Sequence, residues 1–352
     1  MRLREFLATL VVCLLLAANL QAAAQAPATA PQTGGEQGEP QQPRSPLFTV
    51  EGDLAGTLSV FTTRYEDTFA AIGNSLSLGY LELVKANPGV DPWLPGEGTQ
   101  ITLPRQYVLP DVERKGIVIN LAEYRLYYFT EQGVQVYPVG VGTDDNPSPL
   151  TDAQVTMRLE SPAWYPPASI RAEYQASGDY LPRMIPPGPG NPLGSHALLL
   201  SEEGYLIHGT NKQFGVGMQV SHGCFRMYNE DISRFVYEVP KGTPVRVIRE
   251  PVKLGMSGSE VWLEVHRPNE EYTDEDRNRL WQAVTTALEE FREQRPEVEL
   301  KRRAIELAVD QADGIPRMVG ERVTRVAADG TGAQPESDGA REASGEPVQL
   351  WF

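Results

Sequence analysis

Apolar and polar residues alternate through much of residues 113–250, the period-2 pattern of strands with one buried face. In GIVINLAEYRLYYF, Ile117, Ile119 and Leu121 share a face, and Tyr124, Leu126 and Tyr128 follow across a turn. VQVYPVGVG, AQVTMRLE, ALLLSEEGYLIHG and TPVRVIRE repeat the pattern, with Gly, Pro and Asp between them. Residues 161–193 break it with PAWYPPASI and MIPPGPGNPLG, a proline density that excludes interior strands. This segment reads as a long rigid surface excursion over a mainly β domain, placed to wall a cleft.

The period becomes helical on either side. YEDTFAAIGNSLSLGYLELVKANPG predicts a helix from about Asp67, with Phe69, Ile72 and Leu76 on one face. A second helix follows from Gly79, with Leu81, Leu83 and Val84 apolar, and Asn87-Pro88-Gly89 stops it. TQITLP then alternates as a strand, so residues 47–106 predict a small βααβ unit. A strand, VWLEVH, lies near 261. From Asp274 to about Ala312 the chain is again helical, with Thr273 and Asp276 as a cap and Leu280, Val284, Leu288 and Phe291 on one stripe. Pro296 interrupts it, and Leu300, Ile305 and Ala308 mark another helix. The expectation is a C-terminal strand and helices over 251–312 that pack against the main domain.

The two ends differ in composition. Arg2 and Arg4, an apolar run from Phe6 to Leu20 and Ala22-Ala23-Ala24 describe a secretory signal peptide over 1–24, too short an apolar run for a spanning helix. Cys13 leaves with it. Residues 25–46, rich in Pro, Gln, Gly and Ala, predict a flexible linker, and 313–352 a disordered acidic tail ending in Leu350-Trp351-Phe352. These readings imply an exported protein, soluble outside the cytoplasm. The formal charge of −16 argues against nucleic acid and against a polybasic membrane dock.

Export leaves Cys224, in SHGCF, as the lone thiol of the mature chain. A buried inert thiol is one reading. A metal site with His222 and His208 is another, but it lacks the paired spacings of zinc ligands. The third is a nucleophile, which needs a base because a free thiol is only a few per cent ionised at neutral pH. His208 and His222 are both candidates. His222 would share a face with Cys224 in an extended strand, while His208 ends a strand sixteen positions earlier and can approach only through the fold. Gly223 permits unusual φ, and the N–H groups of Gly223 and Cys224 are candidate oxyanion donors. No metal or other cofactor is implied.

HGT at 208–210 followed by SHGCFRM at 221–227 resembles the signature of L,D-transpeptidase catalytic domains, and PAWYPPASIRAEY, PPGPGNPLGSHAL and MYNED extend the resemblance over roughly 113–250. EDTFAAIG and ANPGVDPWLPGEGTQITLP resemble the LysM peptidoglycan-binding module. The resemblance implies a β-sandwich-like catalytic domain over 107–250, a LysM-like domain over 47–106 that binds glycan strands, and an exported enzyme of the Gram-negative type. It implies that Cys224 forms a thioester with a peptidoglycan tetrapeptide stem, with loss of D-Ala. An amine then resolves it: a second stem in a 3-3 cross-link, a lipoprotein's C-terminal lysine or a D-amino acid. His208 would take the proton, oriented by a backbone carbonyl near Gly209. His222, Gly223 and Cys224 would shape the oxyanion hole. Arg226 and Asn229 would organise the pocket, with Gly209, Thr210 and Ser221 beside the substrate, although Ser221 could serve as a turn hydroxyl. After Pro149-Leu150 the sequence has Thr151-Asp152-Ala153 where the family usually turns on glycine, which puts the local hairpin in question. An L,D-carboxypeptidase or other cysteine peptidase, and a non-catalytic wall-binding protein, are the competing readings.

Overall fold

The computed structural model describes residues 47–268 and 272–323. The signal peptide, the linker and the end of the tail lie outside the described residues.

Strands Ser59–Thr62 and Gln100–Leu103 pair antiparallel and flank helices α1 (Phe69–Leu76) and α2 (Tyr80–Ala86). Thr68 caps α1 by accepting from the Ala71 N–H at 3.1 Å, and Ser77 ends it in the left-handed region at φ 56°. Asn87 does more than stop α2. Its amide donates to the Leu83 and Thr102 carbonyls, both at 2.9 Å, and accepts from the Thr102 N–H at 2.6 Å, which fastens helix to strand. Phe69, Ile72, Leu83, Ile101 and Leu103 fill the core of this unit. Its flanks belong elsewhere. Leu54–Gly56 pairs with Gln106–Val108, and Ala55, Tyr107 and Leu109 bury against Val118, Tyr127 and Val136 of the main sheet. The boundary expected at 106 is therefore a packed seam.

One nine-stranded sheet runs in the order Leu47–Phe48, Gly133–Pro138, Arg125–Thr130, Gly116–Asn120, Pro244–Ile248, Asp152–Glu160, His196–Leu200, Leu206–His208, Phe225–Arg226. Asp152–Glu160 is its corner: residues 152–154 pair with the 244–248 strand, residues 155–160 with the 196–200 strand, and the register shifts between Val155 and Met157. The sandwich-like domain expected from the sequence thus takes the form of a single bent sheet. Ile117, Ile119 and Leu126 from one half share a core with Leu198, Ile207 and Phe225 from the other. The strand begins at Asp152 without a glycine turn; Arg246 pairs with the Asp152 carboxylate at 2.7 Å, and Val247 donates to the Thr151 carbonyl.

The proline-rich excursion contains a helix that the sequence reading did not foresee, α3 (Ala168–Ala176). Trp164 and Ile185 exchange backbone hydrogen bonds at its base. The buried Asn191 amide donates to the carbonyls of Pro162, Ile185 and Pro186, supplying the ties that prolines cannot make with N–H groups. Helix α4 (Asn229–Glu238) follows the last strand and buries Ile232, Phe235 and Val236 against the sheet.

The C-terminal region corrects two expectations. Helices α5 (Asp274–Gln294) and α6 (Arg302–Gln311) do not use the main domain as their floor. They cover a sheet of their own, in the order Val252–Ser257, Glu260–Val265, Arg317–Arg322, Val298–Leu300, with Val261, Leu263, Val284, Phe291, Ile305 and Val309 in a separate core. Arg317–Arg322, which the sequence reading assigned to the disordered tail, is a central strand of this sheet. Its sequence RMVGER buries little besides Val319, so hydrogen bonds on both edges, rather than apolar alternation, define it.

The three regions meet at a buried ionic cluster. Arg125 contacts Glu82 of α2 at 3.1 Å, Glu123 at 2.7 Å and Glu264 of the C-terminal sheet at 2.6 Å, and lies 4.6 Å over the Tyr107 ring. Lys253 joins Glu123 at 2.8 Å and Glu264 at 3.2 Å. Burial alone would raise the Glu264 carboxyl, but Lys253 and Arg125 hold it well below the usual carboxylate range.

Candidate active site

The site is built where two parallel strands meet. Leu206–His208 and Phe225–Arg226 pair with Ile207 opposite Phe225 and His208 opposite Arg226. Ile207 and Phe225 are fully buried in the core. With the two-residue alternation of strands, His208 and Arg226 therefore share the other face, and Cys224 stands just before the second strand. The register brings His208 level with Arg226, two residues beyond Cys224, an approach that spacing alone left open.

His222 is placed differently. Residues 222–224 are not strand, because Gly223 takes φ +101° and breaks the alternation. The His222 ring is exposed and its Nε2 lies 3.0 Å from the Glu173 carboxylate on α3. It contacts the helix, and the extended backbone on which a shared face with Cys224 depended is broken at Gly223.

His208 is buried, and its Nδ1 lies 2.5 Å from the Gly209 carbonyl oxygen. A carbonyl only accepts, so Nδ1 carries the proton and Nε2 holds the lone pair. Burial pushes the imidazole down to about 4; the Gly209 carbonyl and the Leu193 backbone oppose this and the Arg226 charge adds to it. Burial likewise pushes the Cys224 thiol up, opposed by the Leu206 backbone and Arg226. Thiol and imidazole at rest are thus both neutral. The Cys224 Sγ lies 3.6 Å from the Gly204 carbonyl. Arg226, half-buried, has no carboxylate partner among the described residues, and burial lowers its pKa. Its backbone is fixed by two hydrogen bonds with Gly140, at 2.8 and 2.9 Å.

Ser221 and Gly223 shape the nucleophile loop from behind. The Ser221 hydroxyl donates to the Cys224 carbonyl at 2.6 Å and accepts from the Gly223 N–H at 3.1 Å. The Gly223 N–H is therefore already engaged, whereas the Cys224 N–H makes no hydrogen bond within the described residues. A Cβ on Gly223 would lie 2.9 Å from Tyr205 Cε1. Ser148, which carries no signal in the sequence, is buried and ties Gly142 to the nucleophile loop: it accepts from Gly142 N–H at 2.9 Å and donates to the Gly223 carbonyl at 2.8 Å. A buried serine beside prolines carries no local signal of that role.

Asn229, Gly209 and Thr210 were expected beside the substrate, but their polar groups are committed to one another. Asn229 Oδ1 accepts from Ser195 N–H at 3.2 Å and Thr210 N–H at 3.1 Å, and its Nδ2 donates to the Thr210 carbonyl at 2.7 Å. Gly209 N–H donates to the His196 carbonyl, and Thr210 Oγ1 accepts from Lys212 N–H. A Cβ on Gly209 would meet Asn229 Oδ1 at 2.2 Å, which accounts for the glycine. Together they clamp the turn whose carbonyl orients His208.

Among the described residues, Glu123, Glu264 and His266 bring metal-ligating atoms within 4.8 Å of one another. The carboxylate oxygens already accept from Arg125, Lys253 and Tyr127. The grouping belongs to the ionic cluster and its donors are spoken for.

The family model of the L,D-transpeptidase catalytic domain (YkuD) matches residues 114–247. "Probable L,D-transpeptidase YcfS" of Escherichia coli (strain K12) is 42% identical over 230 residues, 63% of this chain and 72% of its own length. "Probable L,D-transpeptidase YbiS" of the same organism is 42% identical over 233 residues, 63% of this chain and 74% of its own. The solution structure of the catalytic domain of the E. faecium L,D-transpeptidase aligns over 40% of this chain and all of that one, at 19% identity and a TM-score of 0.31. With His208 and Arg226 paired across the last two strands of its main sheet, Cys224 directly before them, and relatives of this similarity over most of their length, the chain belongs to the L,D-transpeptidase family and is an enzyme of that class.

Proposed function

We propose that Cys224 attacks the carbonyl joining the third residue of a peptidoglycan tetrapeptide stem to its terminal D-Ala. His208 Nε2 takes the thiol proton as the C–S bond forms, and passes it to the departing D-Ala amine when the C–N bond breaks. An incoming amine then displaces the thioester, giving a 3-3 cross-link or an attached lipoprotein lysine, and the thiol is regenerated. The observation that carries this reading is geometric: strand register sets buried His208 opposite Arg226, two residues beyond Cys224, with its Nδ1 tied to the Gly209 carbonyl so that Nε2 is left to take the thiol proton. With Gly223 N–H held by Ser221, the Cys224 N–H is the remaining backbone donor for the oxyanion, a contribution of about 3 kcal/mol to the transition state. Arg226, unpaired beside the thiol, is the group for a stem carboxylate.

Export through residues 1–24 would deliver the enzyme to the periplasm, where its substrate is. The 59–103 unit, read as LysM-like, would hold the glycan strand from which the stem hangs, with half-exposed Trp93 and exposed Leu94 on its α2-to-strand loop.

The test is incubation with disaccharide-tetrapeptide, with Cys224→Ala as control, followed by mass spectrometry. A cross-linked dimer lacking one D-Ala, absent in the control, supports the transfer. Tripeptide alone moves the assignment to an L,D-carboxypeptidase, or calls for adding a lipoprotein C-terminal peptide as acceptor. No Cys224-dependent product refutes the substrate.

A further inference from the structure

Aromatic rings meet where the 59–103 unit abuts the catalytic domain. Trp93 stands on the loop after α2, and Phe214 in the short turn Gln213–Gly215, between the strands that carry His208 and Arg226. Their ring centroids are 5.3 Å apart and the planes tilt by 30°. Tyr80, the first residue of α2, is buried against both, 6.0 Å from Trp93 and 4.8 Å from Phe214. Trp93 and Phe214 themselves remain 52% and 44% exposed, and the following Leu94 73%. The rings are held in place. The Asp91 carboxylate accepts from the N–H groups of Trp93 at 2.8 Å and Leu94 at 3.2 Å, and Gln213 Oε1 accepts from Asn229 N–H at 3.3 Å. The two sides are also joined through their backbones: a Cβ on Gly217 would lie 2.5 Å from Gly79 Cα, and the Tyr228 hydroxyl donates to the Leu78 carbonyl at 3.1 Å. The patch borders the cleft. Gly140, which exchanges hydrogen bonds with Arg226, lies so near that a Cβ on it would be 2.6 Å from the Gly215 carbonyl oxygen.

A rigid aromatic pair left open to water beside a cleft marks a ligand surface. Two half-exposed rings of about 150–250 Å² each fall far short of the roughly 800 Å² per partner that a stable protein interface buries. The formal charge of −16 disfavours an anionic lipid surface. A pyranose fits, because it offers an apolar C–H face about the size of one aromatic ring and keeps its hydroxyl groups at the rim. We infer that Trp93 and Phe214 form a sugar-stacking subsite for the glycan strand that carries the stem, one ring from each side of the seam. The inference rests on the stem-peptide reading for its ligand and extends it: the catalytic domain is part of the glycan site, and the 59–103 unit does not hold the sugar alone. Because Phe214 lies between the two cleft strands, a saccharide stacked there brings its stem towards Cys224, and the sugar contributes to KM.

The experiment titrates the full chain with an N-acetylglucosamine tetramer by calorimetry, and compares KM on disaccharide-tetrapeptide with KM on the sugar-free tetrapeptide. The proteins are the wild type, Trp93→Ala, Phe214→Ala and Phe214→Tyr. The expected result is that Trp93→Ala and Phe214→Ala each weaken tetramer binding by about 3- to 10-fold, the range of one aromatic stack. Each should raise KM on disaccharide-tetrapeptide by a similar factor relative to KM on the sugar-free compound, whereas a merely structural role would move both values together. Phe214→Tyr keeps the ring and should bind as the wild type does. Weakened binding in Trp93→Ala but not in Phe214→Ala overturns the shared site and returns the sugar to the 59–103 unit. No tetramer binding by the wild type, or equal KM changes on the two substrates, also overturns it. So does a concentration-dependent dimer in sedimentation that Phe214→Ala abolishes, which gives the patch to a second copy of the chain. Failure to obtain a Cys224-dependent product from either tetrapeptide refutes the stem-peptide reading instead, and the tetramer titration still decides the sugar site.

Discussion

Protonating His208 is the perturbation whose consequence can be worked furthest. In the fold its imidazole is pushed by burial to about 4, against 6.5 in an open chain. At ~1.4 kcal/mol per pK unit the difference amounts to about 3 kcal/mol. As pH falls below 6.5 the unfolded chain takes up this proton first, so the folded state loses stability steadily until the native histidine titrates near 4. Above 6.5 the contribution is complete. Glu250 works in the opposite sense. Burial raises its carboxyl to about 7 from 4.5, so stability is lost as pH rises through that interval, and the two effects partly cancel in the wild type. The informative quantity is therefore wild type minus His208→Asn, a variant that keeps a donor for the Gly209 carbonyl and has nothing to titrate. Urea denaturation of both proteins at intervals from pH 4 to 7.5 should show the wild type gaining about 3 kcal/mol on the variant across the range. In the same window the acid limb of kcat/KM should fall near pH 4 rather than near 6.5. A stability difference that does not vary with pH, or an acid limb at 6.5, would refute the buried neutral base.

Three further outcomes follow from the packing. Arg125→Leu removes the cation shared by Glu82, Glu123 and Glu264 and leaves buried carboxylates uncompensated, so thermal unfolding should show a loss of about 3–5 kcal/mol although no catalytic group is touched. Asn229→Ala orphans the N–H groups of Ser195 and Thr210; it should cost roughly 2–3 kcal/mol and reduce kcat more than KM, since the turn behind His208 loosens. Gly223→Ala meets Tyr205 at 2.9 Å from a φ of +101°, which costs about 1–3 kcal/mol and should slow Cys224 alkylation, measurable with iodoacetamide on folded protein.

Much of this architecture was legible in the residues because local rules dominated there. The helix expected from about Asp67 is there, Thr273 is a helix cap, Pro296 ends α5, and the alternating stretches around 117–128 and 244–248 are strands. Elsewhere the local signal was misleading or missing. RMVGER is too polar to read as a strand, yet it lies between two others. The helix α3 hides among prolines because Pro167 is tolerated at its start and no apolar stripe marks it. SHGC reads as extended, and a single positive φ at Gly223 turned His222 out to α3.

The sequence by itself offered the candidate nucleophile and two candidate histidines, and determined the strand-rich domain around them and the family they belong to, because residue type and short-range pattern suffice for each. Only the tertiary structure decided that His208 is the buried histidine level with Arg226, that His222 turns to α3, and that Asn229, Thr210 and Ser221 brace the site from behind. Those outcomes depend on strand register, burial and hydrogen bonds between residues far apart in the chain. Pairing His208 with Arg226 across sixteen or more intervening residues is a property of the folded sheet, and so is the desolvation that sets the imidazole's charge.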